Sequence, residues 1–379
     1  MINTALPQRI GLVQRVLPLY RAAFFDSLAR ALPGTLSVFA GEPFPGEGIP
    51  QAETLQSVKW TRAANRKFGI GRFSGVWQAG WRTWIEAANP DLLILEANPR
   101  YLSHERMIGW MRAHSRPVIG WTLGPARAGE TFSGWMLSYY RRFSALIVYS
   151  RNGADSFRKL GISEEKIFVA PNAVESGTAD SLLSRPNARE EARTGLKLDS
   201  RPVVLFVGRL QRRKRVDSLI RACARAEIGC QLLIAGDGEE RGALERIAAE
   251  VFPAACFTGD LRGEALGRCF LAADLFVMPG TGGLALQEAM LYGKPVAAAE
   301  ADGSQKDLIR AGENGWLLPP GDEDALVKTI REALSDPVRL ISMGAASRRI
   351  VRETATMEKM IGGFLLAIRY AMRETERTP

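Results

Sequence analysis

The stretch PVVLFVGRLQRRKRVDSLI (202–220) decides the fold. Its opening apolar run, rich in valine and closed by Gly208, is the pattern of a strand buried on both faces. Beyond the glycine the period changes, and Val216, Leu219, Ile220 and Cys223 share one face of a helix. A strand of this kind leading into an amphipathic helix is half of a βαβ unit. Between strand and helix lie Arg209, Arg212, Arg213, Lys214 and Arg215, five cations within seven residues. Such a turn suits a pyrophosphate; a solvated basic turn is the plainer alternative.

The same figure repeats on the C-terminal side. QLLIAGDG (231–238), CFTGD (256–260), DLFVMPG (274–280), KPVAAAE (294–300) and WLLPP (316–320) read as strands. Helices fall between them, one with Leu244, Ile247, Ala248 and Val251 on a single stripe. GDEDALVKTIREAL (321–334) opens with acidic residues, as a helix N-terminus does. On the N-terminal side RIGLVQ (9–14), TLSVFAG (35–41), DLLILEAN (91–98), PVIGWTLG (117–124), ALIVYS (145–150) and IFVAPN (167–172) alternate in the same way. The pattern predicts two doubly wound α/β domains, 1–180 and 181–355. The inter-domain linker is expected near 175–200, where the chain is small, polar and charged. A helix over about 356–373 is expected to pack back on the first domain. In such folds ligands bind in the crevice at the carboxyl ends of the strands.

Length and composition narrow the function. The 379 residues suffice for two cores, and 46% apolar content excludes a disordered chain. No apolar run approaches the ~20 residues of a membrane span, and the opening MINTALPQRIGLVQ lacks a signal-like core, so the expected location is cytoplasmic. Cys223, Cys230, Cys256 and Cys269 form no C-x-x-C pair, and with only two histidines a zinc site is not expected. The net charge of +9 is unevenly spread: residues 1–200 hold 25 Lys+Arg against 17 Asp+Glu, residues 201–379 hold 25 against 24. Seven of the eight tryptophans also lie in the first half. Trp60, Arg62, Arg66, Lys67, Phe68, Arg72, Phe73, Trp77, Trp81, Arg82 and Trp84 interleave aromatics with cations. This stretch reads either as a peripheral face for anionic lipid headgroups on the inner side of a membrane or as an ordinary helix with core tryptophans. A neutral second half and no recognised module exclude a nucleic-acid binder. No G-x-G-x-x-G follows a strand, which excludes a dinucleotide dehydrogenase.

A second constellation runs Pro279-Gly280-Thr281-Gly282-Gly283-Leu284-Ala285-Leu286-Gln287-Glu288-Ala289-Met290, then Gly293-Lys294-Pro295-Val296. A glycine-rich loop entering a helix offers backbone N–H groups to phosphate oxygens. Glu288 falls about one turn inside that helix, where a carboxylate can accept two sugar hydroxyls.

Together these segments resemble the group 1 (family 4-like) retaining glycosyltransferases of the GT-B fold. VGRLQRRKRVDSLI resembles the family's G-R-L-x-x-x-K-G motif, and LLIAGDG, FTGDL, Pro279–Val296 and ENGWLLPPGDEDAL follow in family order over about 202–335. The segment 149–175 is similar to the family's crossing segment. The resemblance implies that Arg209 and Lys214 hold the donor diphosphate and, with Glu288, form the catalytic set. It implies that Gly208, Gly280, Thr281, Gly282, Gly283 and Leu284 border the donor phosphates and that Glu288 takes the ribose hydroxyls. Gly236, Asp237, Gly238, Gly259 and Asp260 would border the base. The implied substrate is a nucleotide sugar such as a UDP- or GDP-sugar, with no cofactor and no metal, and the acceptor a glycan or lipid-linked sugar of bacterial surface polysaccharide or glycolipid synthesis.

Two departures stand out. The family's first glutamate of a pair is Gly280 here, and Gly120-Trp121-Thr122-Leu123-Gly124 stands where some relatives carry a histidine turn. The donor sugar is therefore open, and so are two other functions on the same fold: a nucleotide-sugar binder without turnover and a nucleotide-sugar epimerase. Asp322-Glu323-Asp324 matches the D-x-D of metal-dependent transferases, but its place at a helix start points to capping. On the acceptor side the strand ends offer Gln14, Arg15, Glu96, Asn98, Arg100 and Thr122. Glu96 is a candidate general base, and His104 is placed on a helix face.

Overall fold

The computed structural model describes residues 6–69, 74–125, 134–301 and 303–377. The chain forms two compact units, Met1–Pro171 with Met357–Pro379, and Asn172–Thr356.

In the first unit β1 (Arg9–Val16), α1 (Ala22–Ala31), β2 (Thr35–Gly41), β3 (Lys59–Phe68), β4 (Gly75–Ala79), α2 (Trp81–Ala88) and β5 (Leu92–Glu96) come first. There follow α3 (Leu102–Ala113), β6 (Val118–Thr122), α4 (Gly134–Arg141), β7 (Ala145–Val148), α5 (Arg151–Lys159) and β8 (Ile167–Val169). The strands make one sheet in the order β4-β3-β2-β1-β5-β6-β7-β8, parallel except for the antiparallel pair β3–β4. The order reverses between β1 and β5, so the crevice of this sheet opens at their carboxyl ends.

The second unit contains α6 (Gly177–Leu183), α7 (Ala188–Gly195), β9 (Val203–Val207), α8 (Val216–Ala226), β10 (Gln231–Ala235), α9 (Arg241–Val251) and β11 (Ala255–Gly259). It continues through α10 (Gly263–Ala272), β12 (Leu275–Met278), α11 (Ala285–Leu291), β13 (Val296–Ala299), α12 (Ser304–Leu308), β14 (Gly315–Leu318), α13 (Glu323–Leu334) and α14 (Pro337–Thr354). Its all-parallel sheet, β11-β10-β9-β12-β13-β14, is a Rossmann order whose switch point lies between β9 and β12. Alternate residues of β9 feed the two faces: Val203, Leu205 and Val207 enter one core, Val204 and Phe206 the other.

The last helix, α15 (Met357–Arg377), belongs to the first unit. It packs on α1, β7 and β8, and Phe364 sits with ring centroids 4.9 Å from both Phe24 and Trp121.

Two expectations are corrected. The stretch at 175–200 is not a linker but carries α6 and α7, which pack on α10 through buried Ala179, Leu182 and Ala192. The compact units accordingly divide at 171/172, whereas the sequence suggested 180/181. The apolar residues of these short helices are mostly alanine and too sparse to draw a stripe. The aromatic-basic stretch is not a helix throughout; it is the β3–β4 hairpin followed by α2. Trp84 is the tryptophan of this stretch that joins the core, stacked on Phe39 at 5.1 Å. Trp60, Trp77 and Trp81 are half-buried, whereas Arg62, Arg66, Lys67 and Phe68 are exposed. Arg72 and Phe73 lie outside the described residues. Among the described residues no helix is long and apolar enough to cross a membrane.

Candidate active site

In the second unit the loops after β9 and β12 flank the switch point and lock together. The Thr281 N–H donates to the Arg213 carbonyl at 3.0 Å, and the Arg213 guanidinium reaches Thr281 Oγ1 at 3.1 Å. Lys214, almost wholly buried, closes a 3-10 turn and donates from Nζ to the carbonyls of Thr281 and Gly282 at 2.8 and 3.0 Å. Arg215 departs from this cluster. Its backbone adopts φ 55°, and its guanidinium bonds Ser218 Oγ at 3.0 Å instead. Arg209 is half-buried beside Gly208, and Arg212 is exposed.

Close approach explains Gly280. A Cβ there would lie 2.3 Å from the Arg213 carbonyl oxygen and 2.6 Å from the Lys214 carbonyl carbon. The same holds at Gly236, where φ is 149° and a Cβ would meet Gly208 O at 2.0 Å. Gly236 N–H donates to Gly259 O at 2.8 Å, and Leu210 N–H to Asp237 O at 2.9 Å. The turns 208–210, 236–238 and 259 are thereby joined at the carboxyl ends of β9, β10 and β11. Asp237 is exposed, bonded to Gly238 N–H and Arg241; Asp260 pairs with Arg262 at 2.8 Å.

Glu288 stands in the first turn of α11, whose N-cap is Leu284. Its carboxyl accepts no hydrogen bond from another described residue, and burial pushes it up to about 7. Lys294 lies elsewhere. It is buried and caps α10, donating to Leu271 O and Ala273 O at 3.1 and 2.9 Å. Asp322 is the N-cap of α13, accepting from Ala325 N–H at 2.8 Å, while Glu323 and Asp324 pair with Arg225.

In the first unit, a bulge shifts the β1 register between Gln14 and Val16 and turns the Arg15 N–H toward Glu96, which accepts it at 2.6 Å. The Arg15 side chain pairs with Glu47 at 2.8 Å. Gln14 Oε1 accepts from Arg21 at 2.5 Å. Asn98 is tied to the turn after β5, accepting from Arg100 N–H at 3.0 Å. Thr122 follows Trp121, the register partner of Glu96, and is bonded to Gly124 N–H at 3.3 Å. The candidates Gln14, Arg15 and Glu96 are therefore neighbours. His104 is buried within α3, in hydrogen-bond range of Glu96 O and Gln78 Oε1, and burial pulls its imidazole down to about 4.

Sequence reasoning missed Arg21, Tyr149 and Trp121. Arg21 donates to Tyr149 OH at 2.5 Å and stacks over Trp121 at 4.1 Å. No periodicity announces these three, because they come from separate elements.

Solved structures share this architecture. That of Anabaena HepE in complex with UDP superposes with a TM-score of 0.71, covering 98% of this chain and 99% of that one at 20% identity. Two Rossmann-like units of this kind make up the GT-B fold. The family model described as glycosyl transferases group 1 matches residues 188–353. A GDP-mannose-dependent monoacylated alpha-(1-6)-phosphatidylinositol monomannoside mannosyltransferase of Corynebacterium glutamicum is 34% identical over 95% of this chain and 94% of its own length. A GDP-mannose-dependent alpha-mannosyltransferase of Mycolicibacterium smegmatis is 40% identical, but the match spans only 44% of this chain and 43% of that enzyme. The chain belongs to the group 1 glycosyltransferases.

Proposed function

We propose that the chain transfers a hexose from a nucleoside diphosphate sugar to a glycan or lipid-linked acceptor with retained anomeric configuration. The observation that carries this reading is the interlocked pair of loops at the β9/β12 switch point, one basic and one glycine-rich. In this reading Arg209 and Lys214 neutralise the departing diphosphate, and the backbone of 280–284 contacts phosphate oxygens. Glu288, a carboxylate without a described partner, accepts the ribose hydroxyls, while 236–238 and 259–260 border the base. Catalysis then rests on positioning and on charge stabilisation at the leaving group. The GDP-mannose dependence of the relatives makes GDP-mannose the first donor to try.

The exposed cations and Phe68 of the β3–β4 hairpin support a peripheral contact with anionic lipid, which would suit a lipid-linked acceptor. The bare Gly280 favours one competing function, a donor binder without turnover.

Thermal stabilisation by UDP, GDP, ADP and dTDP in the presence of EDTA tests the reading. Selective stabilisation by one diphosphate, lost in Lys214→Ala and Glu288→Ala, is the expected result. Stabilisation without diphosphate release from any sugar donor would favour the binder; no stabilisation by any nucleotide would sink both.

A further inference from the structure

We propose that Glu96 and Arg21 form an acceptor subsite for a neutral sugar hydroxyl: Glu96 takes the hydroxyl's hydrogen bond, and Arg21 is the positioning residue that balances its charge. The inference rests on the glycosyl-transfer reading and adds the chemical class of the group bound by the first unit.

The place is the switch point of the first sheet. Glu96 ends β5, Gln14 lies on β1, and Arg21 follows β1 in the turn before α1. This is the crevice position of an open α/β sheet. Arg21 is only 9% exposed, and its guanidinium is fixed by Gln14, Tyr149 and the Trp121 ring. Among the described residues no carboxylate pairs with it, and its Nε has no hydrogen-bond partner. A buried guanidinium held this firmly without an ion pair is costly unless it serves a charge nearby. Gln14, which holds that guanidinium at 2.5 Å, adjoins Arg15, whose N–H Glu96 accepts at 2.6 Å, so the field of Arg21 falls on Glu96.

Glu96 is half satisfied. Oε2 accepts the Arg15 N–H at 2.6 Å, while Oε1 has no partner among the described residues. An ionised carboxylate offers about four acceptor positions, so most of its capacity is unspent. Its backbone is also held: the carbonyl meets His104 Nδ1 at 3.0 Å, and Gln78 ties His104 to Gln14.

The charge count selects the ligand. Two cations, Arg15 and Arg21, stand beside two carboxylates, Glu47 and Glu96; Arg15 pairs with Glu47 at 2.8 Å, and Arg21 makes no ion pair among the described residues. A phosphate or carboxylate entering here would face Glu96 with no surplus cation, whereas a hydroxyl donates to it at no electrostatic cost. The groups that face Glu96 are Arg15 from β1, Arg21 from the following turn, Tyr101 and His104 from the β5–α3 segment, and Tyr149 after β7. Burial drives the Glu96 carboxyl up, and Arg21 and the Arg15 N–H oppose it.

The test uses the full chain. Saturation-transfer NMR is recorded with the methyl α- and β-pyranosides of glucose, galactose and mannose at millimolar concentration, beside nucleoside diphosphate binding. At least one glycoside is expected to bind, about tenfold or more weakly in Glu96→Gln, with nucleotide binding unchanged. Inorganic phosphate and glycerol phosphate should not compete. A ¹³C titration of the Glu96 carboxyl gives the second readout: Arg21→Met should move it to higher pH, and Arg21→Lys, which keeps the charge and guards against misfolding, should move it less. No glycoside bound by the native protein, displacement by phosphate, or a titration indifferent to Arg21→Met would each overturn the proposal. Nucleotide bound without glycoside sinks this inference alone; no nucleotide bound sinks the donor reading.

Discussion

The ammonium of Lys214 and the carbonyl of Thr281 lie 2.8 Å apart, joining the turn after β9 to the loop after β12 across the switch point. One buried side chain thus fixes both loops and carries charge. Lys214→Ala should lower transfer on the order of 10²–10³-fold, the usual loss when a preorganised charge donor is removed. Lys214→Met restores bulk but not charge and should recover none of it. Steady-state diphosphate release would check both; native-like rates in Lys214→Met would refute the role.

Gly280→Ala forces a methyl against the backbone of Arg213 and Lys214. The expected cost is about 1–3 kcal/mol of stability, together with loss of nucleotide stabilisation as the two loops separate. Gly283→Ala is the control, since its Cβ would come no closer than 3.7 Å to Lys214 Nζ. Thermal melting should separate the two variants clearly. Equal melting temperatures would mean that the turn yields freely.

Glu288 ties stability to pH. Its carboxyl titrates near 4.5 in the unfolded chain and is pushed up to about 7 by burial in the folded one. Between those values the folded state holds a proton that the unfolded state has lost, so stability falls as pH rises through that window. Glu288→Gln should therefore melt above the native protein at about pH 8, by on the order of 2 kcal/mol, and match it near about pH 4. Because the ionised form accepts hydroxyls, native affinity for the nucleotide should weaken as pH drops below about 7, and the Gln variant should show a flatter profile. Calorimetry at several pH values reads both effects.

Arg66 and Lys67 stand exposed on β3, with Arg66 paired in register to Trp77 of β4. Arg66→Glu with Lys67→Glu should reduce sedimentation with phosphatidylglycerol vesicles and leave nucleotide binding intact. Raised salt should mimic the substitution, because contacts at an anionic surface are screened within a Debye length. Native protein that ignores such vesicles would remove the lipid contact.

Lys294→Met leaves the carbonyls of Leu271 and Ala273 without their buried donor. A loss of about 1–3 kcal/mol is expected, seen in denaturant melts, with donor affinity little altered where the folded protein persists. A selective loss of donor affinity would give this lysine a different role.

The strands buried on both faces were legible because burial writes a continuous apolar run; TLSVFAG (35–41) coincides with β2 residue for residue. The β3–β4 hairpin was not. On β3 the exposed Lys59, Arg62, Arg66 and Lys67 accompany one half-buried tryptophan, Trp60, and an edge ribbon of this composition draws neither a run nor a helical stripe. Glu288 and the basic turn could be singled out because loop chemistry is local. Arg21 could not: a cation ahead of an amphipathic helix reads as surface, and its burial depends on Tyr149, 128 residues later. The collision that keeps Gly280 bare is equally hidden, since it involves the backbone of another loop.

The return of α15 to the first unit has a consequence for the order of synthesis. The ribosome completes Asn172–Thr356 before it has made the helix that finishes the earlier unit. Until Phe364 emerges, the faces of Phe24 and Trp121 that it covers stay open to water and to other nascent chains. The unit whose coding begins first is thus the last to close, and a ribosome stalled before α15 would present a finished second half beside an unfinished first.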